Sequence, residues 1–290
     1  MVLVFLALLS GVQPLPVRGP AAPVRPGDVI LLTIAAAQPA TPVVRAFGRS
    51  WPGYREDART WRVLVGVDLE TAPGPYTATV SSEGARATYP FTVRRRVFPT
   101  RRLTVDPNLV NPPPEARERI DREARELAKI WEKSATERLW SDGFIRPVPD
   151  RANSAFGTRS VYNGEPRSQH TGADFLSPPG RPVKAPSRGR IVLVGSRYFT
   201  GNTVVIDHGQ GLFSLLAHLS EIDVTPGAMV AAGDIVGKVG ATGRVTGPHL
   251  HWTVRLNGAR VDPLSLLGVW LKQPYAHRRP GPPPAEANRP

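Results

Sequence analysis

From Val24 to about Val105 apolar residues recur at every second position, in runs too short for helices and closed by turn residues. Trp61, Val63, Val65 and Val67 alternate with other residues, Tyr76, Ala78 and Val80 do so again, and Tyr89, Phe91 and Val93 form a returning run. A period of two turns one face of an extended strand toward a core and the other toward solvent. Asp28 to Ile34 supplies a first strand, and Pro73-Gly74 and Glu83-Gly84 turn the chain, an arrangement that suits an antiparallel β-sandwich. Trp51 and Trp61 could line a carbohydrate face, but an aromatic on such a strand is more often core. Further on, Gly189 to Val194, Asn202 to Asp207 and Leu212 to His218 read as strands separated by glycines. Val224 to Gly240 then repeats a short apolar run followed by glycine, the pattern of a compact β structure whose corners need glycine. The fold class is therefore mainly β.

One stretch departs from this period. After the stiff break Asn111-Pro-Pro-Pro114, the segment Glu115 to Lys133 places Ile120, Ala124, Leu127 and Trp131 at the helical interval. This predicts an amphipathic helix. Its polar face mixes Glu with Arg, so it reads as packing on a domain and not as lying on a membrane. With 290 residues the chain exceeds one average domain. The division expected is a signal-like segment at 1–20, a β domain at 21–106, a helical linker at 107–150, a second β domain at 151–272 and a disordered Pro-rich tail at 273–290. The apolar run Met1 to Leu9 has the length of a signal-peptide core and falls short of the roughly 20 residues a spanning helix needs. Apart from that signal or anchor, no stable membrane insertion is expected.

Five of the six histidines fall between His170 and Trp252, and four of them, with one acid, stand out as candidate site residues. They are His170 and Asp174 in His-Thr-Gly-Ala-Asp, His218, and His249 and His251 in Gly-Pro-His-Leu-His-Trp. Gly172 disfavours a helix, and in an extended segment residues an even number apart share a face, so His170 and Asp174 project together. His249 and His251 likewise flank Leu250 ahead of an alternating run. Imidazole nitrogen and carboxylate oxygen suit zinc, and a catalytic zinc keeps three protein ligands with the fourth position open. The chain has no cysteine, so zinc must rest on His and Asp, and the redox compartment is left undecided. Two histidines and one aspartate complete such a set, but spacing does not choose between His249 and His251. The remaining histidines are expected to be a supporting residue at a strand end, His208, and a tail residue, His277. The formal charge of +13 favours anionic partners, yet no recognised nucleic-acid module accompanies it, and nucleic acid is not expected as a partner.

The residues from about Phe156 to Leu267 resemble the M23 family of zinc metallopeptidases, the lysostaphin-like endopeptidases of bacterial cell walls. The resemblance rests on His-x-x-x-Asp followed far downstream by His-x-His. It implies an antiparallel β peptidase domain of the barrel-sandwich hybrid type, one Zn2+ per chain held by His170, Asp174 and His251, and His249 and His218 as catalytic histidines that are not ligands. It also implies hydrolysis of peptidoglycan cross-links by a zinc-bound water, with stem peptides as partners and a D,D-bond preferred over glycyl-glycine. Domains of immunoglobulin-like kind precede the peptidase in some similar proteins. The implied location is outside the cytoplasm, in the periplasm or cell envelope. The stretch Phe156 to Gly164 resembles a loop bordering the cleft. There Arg159 is a candidate for a substrate carboxylate and Asn163 for a peptide backbone, although a turn through Asn163-Gly164 explains the Asn equally well. Two rivals are weighed: a non-catalytic protein that binds peptidoglycan or activates another hydrolase, and a lipoyl- or biotinyl-type carrier modified at Lys238. The carrier lacks the flanking residues of a hairpin tip and leaves the histidines unexplained.

Overall fold

The computed structural model describes residues 15–36, 40–82, 84–104, 112–141, 143–154 and 156–271. The apolar run Met1 to Leu9, Glu83, the tail 273–290 and His277 lie outside them. The first part contains β1 (Val17–Arg18), β2 (Val29–Ala35), β3 (Val43–Ala46), β4 (Arg49–Pro52), β5 (Tyr54–Arg55), β6 (Thr60–Gly66), β7 (Gly74–Ser82), β8 (Ala85–Val93) and β9 (Thr100–Leu103). Helix α1 (Pro114–Glu132) follows. The second part contains β10 (Ala152–Ser154), β11 (Arg159–Tyr162), β12 (Glu165–Pro166), β13 (Gly172–Phe175), β14 (Pro182–Lys184), β15 (Gly189–Arg197), β16 (Gly201–Asp207), β17 (Leu212–Ile222), β18 (Met229–Val230), β19 (Ile235–Val239), β20 (Leu250–Leu256), β21 (Ala259–Val261) and helix α2 (Pro263–Leu271).

The alternation predicted for the first part becomes two antiparallel sheets, ordered β1-β2-β6-β5 and β4-β3-β7-β8. Their inward residues, Ile30, Leu32, Ile34, Val63 and Val65 from one and Val44, Ala78 and Val80 from the other, belong to one apolar core. Val17 and Arg18 already pair with Ile34 and Thr33, so the first sheet includes residues assigned by sequence to a leader. Trp51 and Trp61 are buried, and Trp51 Nε1 donates to Ala46 O at 3.1 Å. Neither indole faces solvent, so the carbohydrate reading falls and the core reading stands.

The second part is built on a ten-stranded sheet with the path β10-β13-β20-β17-β16-β15-β18, with β19 and β21 branching from β17 and β20 and β14 pairing with β19. Every pairing in it is antiparallel. Its strands are near-continuous apolar runs, because the sheet is covered on both sides. Val204, Ile206, Leu212 and Leu216 enter the main core, whereas Val205, Phe213, Leu215 and Ala217 face α1. Lys238 lies within β19 and pairs with Glu221 at 2.6 Å, a mid-strand position unlike the hairpin tip that a carrier presents.

Helix α1 opens with proline in its first turn, where a missing N–H costs nothing, and carries Glu115 near its start and Lys129 near its end, both favourable to the helix dipole. Leu127, Ile130 and Trp131 cover the second core, with Trp131 edge-on to Phe213 at 5.2 Å. Ala124, expected on this face, is exposed. Glu123 takes the inward position instead, accepting Arg119 Nε at 2.7 Å and the Tyr198 N–H at 2.8 Å. Among the described residues no helix is long and apolar enough to cross a membrane.

Polar contacts fasten the two parts together. Asp68 accepts bonds from Arg260 N, Nε and Nη2 at 2.9, 3.1 and 2.6 Å. Arg96 Nη2 meets Asp262 Oδ2 at 2.9 Å, and the Val29 N–H donates to Ser265 Oγ at 2.9 Å. Strand β9 adds in parallel to β11, which joins β12 in a small three-stranded sheet.

Candidate metal centre

Strand pairing builds the centre. In the β13/β20 ladder Asp174 lies opposite His251 and Gly172 opposite Thr253. Directly opposed residues project to the same face, so the carboxylate and the imidazole meet across the ladder. His170 precedes β13 in extended chain, anchored by its N–H to Thr158 O at 2.9 Å. As the even spacing predicts, its side chain returns to the same face. His170 Nε2 stands 3.0 Å from Asp174 Oδ1 and 3.1 Å from His251 Nδ1, and His251 Nδ1 stands 2.7 Å from Asp174 Oδ1. Gly172 is small of necessity: a Cβ there would overlap Trp252 O and lie 2.8 Å from His251 Cε1.

These three groups fit a metal. Tetrahedral zinc with bonds of about 2.0–2.1 Å sets its donors about 3.3 Å apart, a few tenths more than the separations seen. The chemistry points the same way. Thr253 Oγ1 lies 2.8 Å from His251 Nε2, so an Nε2–H bonded there turns the Nδ1 lone pair toward Asp174 Oδ1 and His170 Nε2. Three electron-rich atoms then converge, and a cation relieves their repulsion. The hydroxyl also orients the ring, as partners of ligating histidines do. Burial pushes the Asp174 carboxyl up, but the adjoining imidazoles of His170 and His251 more than offset this and hold it well below the usual carboxylate range. Burial likewise pushes His251 down, against the pull of Asp174. Both directions favour the deprotonated forms that bind metals. The three side chains are 13 to 20 % exposed, so the group opens to solvent on one side.

Two more histidines face this group. His249, just outside β20, has Nδ1 2.9 Å from Gly247 O, which leaves Nε2 on the metal-group side, 3.9 Å from Asp174 Oδ1. His218 sits where the register of β16 with β17 shifts between Asn202 and Val204, and its φ is +64°. A bulge re-aims a side chain, and a left-handed β-strand histidine is a strained conformation of the kind found at functional sites. Its N–H donates to Thr200 O at 2.8 Å and its Nδ1 is 2.9 Å from Thr242 O. The His218 ring centroid is 4.7 Å from that of His249 and 6.0 Å from that of His251. Burial, then the neighbouring His251, pushes His218 down to about 4, so it is neutral at pH 7.

The structure thus brings His170, Asp174, His218, His249 and His251 into one cluster. Arg159 is exposed on β11, with its N–H bonded to Pro99 O. Asn163 has φ +51° and Gly164 φ +86°, the pair of left-handed residues that a tight β11–β12 hairpin requires. Asn163 also borders a hollow of about 490 Å³ with Arg102, Val161 and Pro166, which includes none of the histidines. His208 is fully buried, with Nδ1 2.9 Å from Arg188 O and Nε2 2.9 Å from Ser214 Oγ, and Ser214 Oγ accepts Trp252 Nε1–H at 3.1 Å. It therefore supports β20 from behind. Sequence reasoning missed Thr253, which the same even spacing from His251 would have revealed. It also missed Thr242, whose contribution is a backbone carbonyl that no residue type announces.

The description of Peptidase family M23 matches residues 168–263. Among curated proteins, the chain is 42% identical over 119 residues to the DD-carboxypeptidase/endopeptidase Mpg of Neisseria meningitidis serogroup B, covering 41% of this chain and 27% of that one. It is 39% identical over 113 residues to the peptidoglycan DD-endopeptidase ShyA of Vibrio cholerae, covering 39% of this chain and 26% of that one. The chain therefore spans about a quarter of the length of these relatives. A crystal structure from Pseudomonas aeruginosa described as a peptidase M23 aligns far more broadly, with a TM-score of 0.69, 36% identity, and coverage of 85% of this chain and 96% of that one. A likeness that spans nearly the whole of an M23 structure, together with the family match over the His and Asp cluster, shows that the chain belongs to peptidase family M23, a family of metallopeptidases.

Proposed function

We propose that this protein is a zinc-dependent endopeptidase that hydrolyses the peptide cross-links of bacterial peptidoglycan, with a D,D-bond as its target. The observation that carries the proposal is the convergence of His170, Asp174 and His251 on one point with two further imidazoles turned toward it. In this proposal those three residues hold the zinc, and His249 and His218 handle protons. The names of the relatives, a DD-carboxypeptidase/endopeptidase and a peptidoglycan DD-endopeptidase, support the substrate class. Peptidoglycan lies outside the cytoplasm, so the proposed site of action is the periplasm or cell envelope, in keeping with the expected export signal.

Bound zinc supplies Lewis acidity, lowering the pKa of water and polarising a carbonyl. The chain's own residues supply the rest. His249, with Nδ1–H tied to Gly247 O, offers Nε2 as a proton acceptor at the open side of the group. His218, with Nδ1–H tied to Thr242 O, offers a second neutral Nε2 from the bulge. Fixing one ring nitrogen sets the tautomer and leaves the other free to accept a proton and return it, as general acid–base catalysis requires. A protein that only bound the wall would need neither imidazole, and this favours the enzyme over the non-catalytic alternative.

The test is metal content and muropeptide cleavage for the wild type, His251→Ala and His249→Ala. The first variant is expected to lose both metal and activity. The second should keep its metal and lose activity by roughly 100-fold or more. An active His251→Ala protein, or a wild type that releases no monomers from cross-linked muropeptides when loaded with zinc, refutes the proposal.

A further inference from the structure

Beside the histidines two loops lock together. Gly201, with φ +60°, and Gly243, with φ +78°, approach so closely that a Cβ on either would overlap the opposite backbone. Thr242 Oγ1 accepts the Asn202 N–H at 2.9 Å and donates to Leu219 O at 2.8 Å, while the Arg244 N–H donates to Phe199 O at 3.0 Å. These loops hold His218 through Thr200 O and Thr242 O. They hold Arg244 as well. Its guanidinium carbon lies over the Phe199 ring, 4.3 Å from the centroid, and Tyr198 braces that ring edge-on at 5.0 Å.

Arg244 stands two residues after the carbonyl that fixes His218 and five before His249. The groups that surround it electrostatically include Tyr162 and Arg167, from the β11–β12 hairpin and its exit, as well as Tyr198. Its backbone is thus tied to the loops that carry His218, and the hairpin predicted to border the cleft lies in its electrostatic neighbourhood. A guanidinium held over an aromatic ring has less rotamer freedom left to lose, and its planar fork can bind a carboxylate through two parallel hydrogen bonds. Arg167, in the same neighbourhood, is already paired with Glu165, so the carboxylate site proposed rests on Arg244 itself. Among the groups of a peptide, the carboxylate is the one that answers this chemistry.

We propose that Arg244 receives a carboxylate of the substrate, so that the preferred peptides carry a free carboxylate on the residue beside the bond that is cut. This rests on the peptidase reading above. Arg244 acts on specificity and takes no part in proton transfer.

The experiment compares two cross-linked muropeptides that differ only in whether the carboxylate beside the scissile amide is free or amidated. Zinc-loaded wild type, Arg244→Ala and Arg244→Lys are assayed on both, with unfolding midpoints measured in parallel. The wild type is expected to prefer the free acid in kcat/KM by roughly 10- to 100-fold. Arg244→Ala should lose that preference, falling on the free acid and staying within about 2-fold on the amide. Arg244→Lys should fall in between, because it keeps the charge and loses the paired bonds, and it serves in place of the alanine variant if that one does not fold. Equal losses on the two substrates, or a wild type indifferent between them, overturn the inference and leave the peptidase reading standing. A wild type that cleaves neither overturns both.

Discussion

Gly172→Ala is the most telling single change, because it adds one methyl group between the two strands that carry the proposed metal ligands and alters none of those residues. The new Cβ would overlap Trp252 O and sit 2.8 Å from His251 Cε1, where ordinary contact begins at 3.4 Å, so the imidazole must give way by about 0.6 Å. A metal site tolerates ligand displacements of only about 0.2 Å. Metal affinity should therefore weaken by roughly 10- to 100-fold, comparable to the loss of a residue that orients a ligand. Forcing β13 from β20 should also cost about 1–3 kcal/mol of metal-free stability, as overpacking does. Gly268→Ala is the control. It lies in α2 with nothing within 4 Å of its Cβ, and alanine there should be neutral or stabilising by up to about 1 kcal/mol. Affinity is read by competition with a chromogenic chelator, and stability by urea unfolding of the metal-free protein. If Gly172→Ala binds zinc as tightly as the wild type and unfolds at the same urea concentration, the close approach of the strands is not what shapes the centre.

Two further predictions concern stability. Burial pushes His208 down to about 4 from an ordinary 6.5, so between those values the unfolded chain binds a proton that the folded one refuses. The stabilisation is complete above pH 6.5 and is lost as pH falls toward 4, to the extent of about 3 kcal/mol. Urea midpoints at pH 7 and pH 4.5 should fall less steeply in His208→Gln than in the wild type, and identical pH slopes would sink the argument. The second concerns the bond between the two parts. Asp68 makes three bonds to Arg260 and is 22 % exposed, whereas Glu70, which meets the same guanidinium, is 69 % exposed. Asp68→Asn should cost about 1–3 kcal/mol and Glu70→Gln less than about 0.5 kcal/mol. Equal costs in thermal or urea unfolding would contradict the assignment of the linkage to Asp68.

The strands were legible because burial on one face leaves a period of two, and the same parity argument placed His170 beside Asp174. It could not separate His249 from His251, since both share one parity. The distinction is one of register: His251 lies opposite Asp174 in the ladder, whereas His249 falls beyond the strand and bridges Gly240. His218 was visible as a histidine ending an apolar run, but not the bulge that turns it inward. Ala124 shows the opposite failure. Its spacing is correct for the helix, yet Glu123 is drawn inward by the Tyr198 N–H and the buried stripe runs through Leu127, Ile130 and Trp131. The parallel pairing of β9 with β11 joins residues nearly sixty positions apart and leaves no local trace.

If His170, Asp174 and His251 hold a metal ion as proposed, the opposition of Asp174 and His251 also governs when it can enter. They are 77 residues apart in the chain and come within reach of each other only when β13 has zipped onto β20 in register. A slip of one residue would send one of the two to the far face of the sheet. A nascent or misregistered chain thus has no complete trap for the ion, and uptake acts as proofreading of the finished sheet. An ion so bound would stabilise the native form by mass action, and under the proposed function the zinc supply where the chain matures would set how many correctly zipped molecules persist.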